Sequence, residues 1–314
     1  TEYAPGYAML KAYPQIPTVL TIQGIIKRIS EEYYGGLKIH ELLKISFKYG
    51  IKSPIAYKWL YSRNAKREEN ILKKVKYVTG RTDWDKATMM SINPNLKYYR
   101  CNYNLRDEFY SVQKWSIEKI QRHTIITSAS LYPLKGLHIL IKALRIVKQE
   151  YRNVMLYVPG GHAIDGKFTN PKGYMKYIDD LIEKYDLRSN IYFTGAIPAQ
   201  QVAERLRTAN VCVVTSAIEG ASATLCEAMM IGTPSICSFR GGMTDLLTDK
   251  VNGFTYDYPE YPLLAHRIME IFENDAMACD FSKRTIELAE DRHNRERNPK
   301  EMIGVCKESL NNGE

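Results

Sequence analysis

From about Arg122 onward, short apolar runs alternate with longer stretches whose apolar positions recur every three or four residues. TIITS (124–128) is the first such run, and the spacing in GLHILIKALRIV (136–147) predicts a helix behind it. NVMLYVPGG (153–161), NIYFTG (190–195), VCVVTS (211–216) and PSICS (234–238) read as further strands. Helices are expected around 175–185, 200–208 and 223–230. Strands apolar on both faces and separated by helices indicate a parallel, doubly wound sheet.

The amino-terminal part is sparser. PTVLTIQG (17–24), KYVTG (76–80) and KYYRCNY (97–103) read as strands with helices between them. EEYYGG (31–36) reads as a turn, and IHELLKISFKYG (39–50) as a helix stopped by Gly50. Three parallel strands make a poor sheet for a domain that must be covered on both faces, so this domain is expected to be incomplete. The expected division is an amino-terminal domain over 1–120, a second over 121–290, and a charged helix or tail over 291–314. Both domains are expected to be α/β, with Rossmann-like, doubly wound parallel sheets.

Composition adds one contrast to this division. The 314 residues are 45% apolar and 25% charged, with a net charge of +9. Residues 1–120 hold 21 Lys/Arg against 11 Asp/Glu, a net of +10, while the rest holds 23 against 24. A basic domain joined to a neutral one suggests an anionic partner, and a merely solvated helix face is the alternative. RNAKREENILKKVK (63–76), where bases cluster beside apolar residues, points to an anionic membrane surface. Nucleic acid is not expected, because no helix-turn-helix, RNP or zinc signature occurs. No apolar run approaches the ~18 residues of a spanning helix. Cys101, Cys212, Cys226, Cys237, Cys279 and Cys306 show no C-x2-C pair and read as buried free thiols of a reducing cytosol. No two histidines stand at metal-ligating helical spacing. In GRTDWDKA (80–87), Asp83 reads as a helix N-cap with Asp85 in the first turn, and not as a metal-binding pair.

The candidate chemistry begins after VCVVTS. Ser216 to Met229 reads SAIEGASATLCEAM, a strand end, a loop of small residues and a helix start. Glu219 lies on the loop and Glu227 about one turn into the helix, at the sheet edge where open α/β folds bind ligands. Backbone N–H groups at such a helix start favour an anion such as a diphosphate.

The run resembles the signature of family 4 glycosyltransferases, S-x-x-E-x7-E-A-M followed by G-T-P, here Gly232-Thr233-Pro234. SLYPLKGLHILIKAL resembles the family's L-x-x-x-K-G segment, and GGMTDLLTDKVNGF its G-G-x-x-E segment, with Asp245 in the glutamate's place. The resemblance covers roughly 122–275 and implies the GT-B fold. It implies transfer of a hexose from a nucleotide diphosphate sugar to a glycan or lipid-linked acceptor, with retention and without a metal or other cofactor. Carried over by position, Lys135 neutralises the diphosphate and Glu219 holds the transferred sugar, helped by amides at Gly220, Ala221 and Ser222. Thr224 belongs to the same helix start, Glu227 holds the ribose, and the Gly195–Pro198 turn, including Ile197, lies against the base. TVLTIQG resembles a strand ending in H-G, and Gln23 stands where the histidine is usual. Arg81 and Trp84 match a G-R-T-x-W-D run that lines the cleft in some members. Ser130 stands where an arginine is usual, which makes Arg81 or Arg240 a candidate substitute. His162, after the double glycine, faces the same edge, either as a ligand contact or as a plain loop histidine. TEYAPGYAML resembles the segment just ahead of the H-G strand, so the first strands are expected upstream of Thr1. Gln23 and Ser130 leave a second reading open, a non-catalytic nucleotide-sugar-binding or regulatory homologue.

Overall fold

The computed structural model describes residues 4–48, 54–128, 131–161, 163–164, 166–168 and 171–311. The readings made on Gly50, Ser130 and His162 fall outside them. Helix α1 (Ala4–Ala12) leads to a parallel sheet of β1 (Val19–Thr21), β2 (Tyr77–Gly80) and β3 (Lys97–Arg100), in that order. β2 is buried along its whole length because a strand flanks it on each side. Between β1 and β2 run α2 (Ile26–Glu31), α3 (Ile39–Lys48) and α4 (Pro54–Leu72). The fully buried Glu68 of α4 accepts from the Ile26 and Lys27 N–H groups, each at 3.0 Å, and so satisfies the open start of α2.

Between β2 and β3, α5 spans Asp83–Ile92. Its N-cap is Thr82 and not Asp83. The Thr82 hydroxyl accepts from Asp85 N–H at 3.2 Å, and Asp85 accepts from Thr82 N–H at 3.1 Å. A threonine followed three residues later by an acid satisfies two helix-start donors reciprocally, which Asp83 one position later cannot do.

After β3 the chain crosses to a second body. Leu105, Phe109 of α6 (Glu108–Ser111), Val112 and Trp115 all join the larger hydrophobic core, and the Trp115 indole donates to Ala209 O at 2.8 Å. Six parallel strands follow: β4 (Thr124–Ile126), β5 (Met155–Pro159), then, after the small hairpin β6 (Ala163–Ile164) and β7 (Lys167–Phe168), β8 (Ile191–Gly195), β9 (Val211–Val214), β10 (Ser235–Ser238) and β11 (Phe254–Tyr256). Helices α7 (Leu137–Glu150), α8 (Tyr174–Lys184), α9 (Ala199–Thr208), α10 (Ala223–Ile231) and α11 (Tyr261–Glu273) connect and cover them. The spatial order is β11-β10-β9-β4-β5-β8. The winding therefore runs outward from β4 through β5 to β8, then returns past β4 to β9 and onward. Such a reversal opens a crevice beyond the carboxyl ends of β4 and β9.

The interior strands β9 and β10 are buried at every position, as their unbroken apolar runs require. Cys212, Cys226 and Cys237 pack there as small apolar groups, and Cys101 is buried as well. Cys279 and Cys306 are exposed, because each falls on the solvent face of a peripheral helix. These helices, α12 (Asp275–Arg292) and α13 (Arg297–Asn311), carry the chain back to the first sheet. There Glu308 accepts from Tyr99 OH at 2.6 Å and pairs with Lys97 at 2.9 Å.

Candidate functional site

The crevice is built from the loops after β4 and β9. After β4 the chain makes a 3-10 turn over Pro133–Lys135 and passes through Gly136 at φ +69°. A Cβ at Gly136 would lie 1.9 Å from Thr215 O. Only glycine lets this turn press against the end of β9, where Ala217 N–H donates to Leu134 O at 2.7 Å and Thr215 Oγ1 to Lys135 O at 3.0 Å. The Lys-Gly pair thereby sets Lys135 opposite the loop that carries Glu219.

Lys135 ends the 3-10 turn just ahead of α7, which begins at Leu137. Its ammonium pairs with the Glu219 carboxylate, and the side chains are only 23% and 16% exposed. Ser216 Oγ donates to the same carboxylate oxygen at 2.9 Å. Burial opposes the charged lysine, but Glu219 and Tyr132 outweigh it and raise its pKa above the ordinary value.

The Glu219 loop is pinned from beneath. Gly242 N–H donates to Glu219 O at 2.9 Å, and Ser238 Oγ to Ser216 O at 2.5 Å. Ser222 then caps α10, its hydroxyl accepting from Leu225 N–H at 3.4 Å. The first-turn N–H groups of α10 stand between two clefts. One, of about 610 Å³, is lined by Lys135, Glu219, Ala221 and Ala223 on one side and by Gln23 and Arg81 on the other. The second, of about 270 Å³, is lined by Thr224, Glu227, Gly160 and Ile197. Gly195 lies just behind it at φ +70°, its carbonyl accepting from Gly160 N–H at 2.7 Å. Gly220 faces the Gln23 carbonyl and the Trp84 ring.

Glu227 is paired with Arg106 at 2.8 Å. Burial raises its pKa, and Arg106 opposes that rise. Nothing in the local sequence marks Arg106, which comes from the crossing segment 121 residues earlier. Arg81 donates to Gln23 O at 2.8 Å and lies 5.0 Å from the Tyr103 ring. Arg240 is turned away, donating to Tyr258 O at 2.8 Å, because that carbonyl and Asp257 hold it. Asp245 joins the two bodies: it accepts from Asp83 N–H at 2.8 Å and pairs with Arg100 at 3.4 Å. Sequence reading also missed Asn102 and Asn298, which line the larger cleft from the segment after β3 and from α13. Their Oδ1 atoms and Arg81 Nε are buried without a hydrogen-bond partner among the described residues. No group of three or more His, Cys, Asp or Glu side chains suited to a metal occurs among the described residues.

Two parallel α/β bodies facing each other across such a crevice, with a carboxy-terminal helix returning to the first, form the GT-B architecture. Residues 113–288 match the family described as Glycosyl transferases group 1, and the chain belongs to that family. It is 32% identical over 146 residues to YtcC of Bacillus subtilis (strain 168), a protein named provisionally as a glycosyltransferase. That stretch covers 46% of this chain and 34% of the relative, so the chain spans about a third of that protein's length. Sucrose-phosphate synthase from Thermosynechococcus elongatus superposes with a TM-score of 0.72 at 18% identity, over 97% of this chain and 71% of that one. HepE of Anabaena, in complex with UDP and glucose, superposes with 0.70 at 19% identity, over 96% and 74%. At these identities the two structures share the fold.

Proposed function

We propose that this chain is the working body of a family 4-type, retaining hexosyltransferase that moves a sugar from a nucleotide diphosphate donor to a glycan or lipid-linked acceptor without a metal. The observation that carries the reading is the start of α10 between two clefts, with Lys135 beside it. A diphosphate at those N–H groups reaches a nucleoside on the Glu227 side and a sugar on the Glu219 side. Residues 121–290 then hold the donor, and residues 1–120, closed by 291–314, hold the acceptor against Gln23, Arg81 and Asn102. HepE's complex with UDP and glucose makes a UDP-hexose the first donor to try.

Lys135 and Glu219 satisfy each other in this structure. Donor binding exchanges these partners: Lys135 turns to the diphosphate, and Glu219 accepts from the sugar's hydroxyls. The bond from anomeric carbon to phosphate oxygen breaks as the acceptor oxygen attacks from the same face, and the departing phosphate oxygen takes the acceptor proton. This route needs no side-chain base, which suits Gln23, a group that holds a hydroxyl but does not take its proton at neutral pH. Lys135 and the helix start stabilise the leaving charge. The enzyme works at the cytoplasmic side of an anionic membrane.

Lys135→Ala tests the reading. Transfer should fall about 10²–10³-fold, while a melting-temperature panel of UDP-, GDP- and ADP-sugars identifies the stabilising donor. Near wild-type transfer by a normally melting variant would remove Lys135 from the reaction. A donor that stabilises the chain but is never hydrolysed or transferred would favour the binding homologue, in which Gln23 replaces a reactive group.

A further inference from the structure

The basic run at 63–76 was the first candidate for membrane contact, but its apolar residues are not available. Ala65, Ile71, Leu72 and Val75 are all buried, at 7% exposure or less. The exposed apolar side chains lie upstream, on α3 and the first turns of α4. Ile39 is 77% exposed, Leu43 42%, Ile55 43%, Trp59 64% and Leu60 43%. Ile39 and Leu43 are one helical turn apart, as are Ile55 and Trp59, and α3 packs on α4. Single exposed apolar residues need no explanation, but five on two packed helices form a patch that does.

Charge selects the partner. Residues 33–67 carry eight Lys/Arg and one carboxylate, Glu41. That carboxylate is directed inward, bonded to Tyr177 OH and paired with Lys142 at 3.6 Å. Along α4 the apolar Ile55, Trp59 and Leu60 are followed within two turns by Arg63, Lys66 and Arg67. The Arg63 guanidinium lies 5.8 Å from the Trp59 ring. An aromatic and aliphatic tip backed by bases, with the partly exposed Glu69 further along α4 paired to Lys27 at 2.6 Å, matches the boundary between acyl chains and anionic headgroups.

We propose that the outer faces of α3 and α4 form a docking surface for a lipid bilayer carrying anionic headgroups, with Trp59 and Leu60 entering the interface. This rests on the membrane partner proposed above and refines it to named residues; it does not depend on the transfer reaction. Docking here holds the first body at the bilayer, on the side where a lipid-linked acceptor arrives.

The test is co-sedimentation with phosphatidylcholine vesicles, and with vesicles in which roughly a third of the lipid is phosphatidylglycerol, at low and high salt. The chain should bind only the anionic vesicles, with a blue shift of Trp59 emission, and high salt should release it. Trp59→Ser with Leu60→Ser should weaken partition about tenfold or more, and each Lys/Arg→Gln change on α4 roughly fivefold. Both side chains are exposed, so melting temperature and donor-induced stabilisation should not change. Wild-type binding retained in full by the double variant would overturn the assignment of α3 and α4 while leaving membrane association standing. Equal binding to neutral vesicles, or none to either, would overturn both. Self-association in solution that the double variant abolishes would show that a second copy covers the patch and would also overturn the proposal. None of these outcomes bears on donor binding, which the melting panel reads separately.

Discussion

Gly35→Ala should loosen the joint between the two bodies and displace Lys135. Gly35 has φ +56° and is buried against the Pro133–Lys135 turn. Its carbonyl accepts from His138 Nε2 at 2.9 Å and from Tyr258 OH at 2.5 Å. His138 is fully buried and uses both ring nitrogens, since Nδ1 lies 2.8 Å from Tyr174 OH. The partners assign the proton to Nε2, with Tyr174 donating to Nδ1.

A Cβ at Gly35 would stand 2.1 Å from Pro133 O, against an ordinary contact of 3.4 Å, so one turn must retreat by about 1.3 Å. The left-handed backbone costs a non-glycine residue about 1–2 kcal/mol. Each buried donor that loses the Gly35 carbonyl adds about 1–3 kcal/mol. The loss should therefore be at least about 3 kcal/mol in urea unfolding. Transfer should fall about 10²-fold, the scale expected when a catalytic group moves by an ångström. Gly36→Ala is the control: φ is +70°, but the nearest atom to its Cβ is a Tyr258 ring carbon at 3.2 Å. Only the backbone cost applies there. Equal stability and activity in the two variants would refute the claim that Gly35 seats the Lys135 turn.

Two other outcomes follow from buried titrating groups. Arg106→Ala leaves Glu227 buried without its cation, so its pKa, already raised by burial, rises further. Donor affinity by calorimetry should drop about tenfold, and further as the pH is lowered; an unchanged pH profile would separate Arg106 from the donor cleft. Burial also holds His138 at a pKa of about 3 and His293 at about 4. Below about pH 6.5 the unfolded chain binds protons at these sites that the native chain refuses, so their contribution is complete above that pH and is lost progressively as pH falls. Urea unfolding from pH 7 to pH 4 should show this slope, and His138→Asn should flatten it; the same slope in the variant would assign it elsewhere.

Much of the second body was legible because its signals are local. A short apolar run rich in valine and followed by a loop of small residues, such as VCVV, reads as an interior strand between covered faces, and a helix follows the loop. Small residues from Gly220 to Ser222 leave room for the loop and supply its cap, so the position of Glu219 and Glu227 at the sheet edge could be read in advance. The three residues of β11 are too few to show a period, and β6 and β7 have two each.

What sequence could not choose was the partner of each placed side chain. Arg106 meets Glu227 across 121 positions, Asp83 meets Asp245 across 162, and His138 meets the Gly35 carbonyl across 103. Periodicity decides which face of an element is buried, but not which distant face it is buried against. The same limit hid which apolar side chains of α4 face outward: bases and apolar residues mingle at 63–76, and only the packing of α4 shows that Ile71 and Leu72 are buried while Trp59 is left outside. The resemblance to the L-x-x-x-K-G segment singles out Lys135. Its burial and its pairing with Glu219 arose only when the end of β9 closed against that turn, because contact between distant segments is set by tertiary packing.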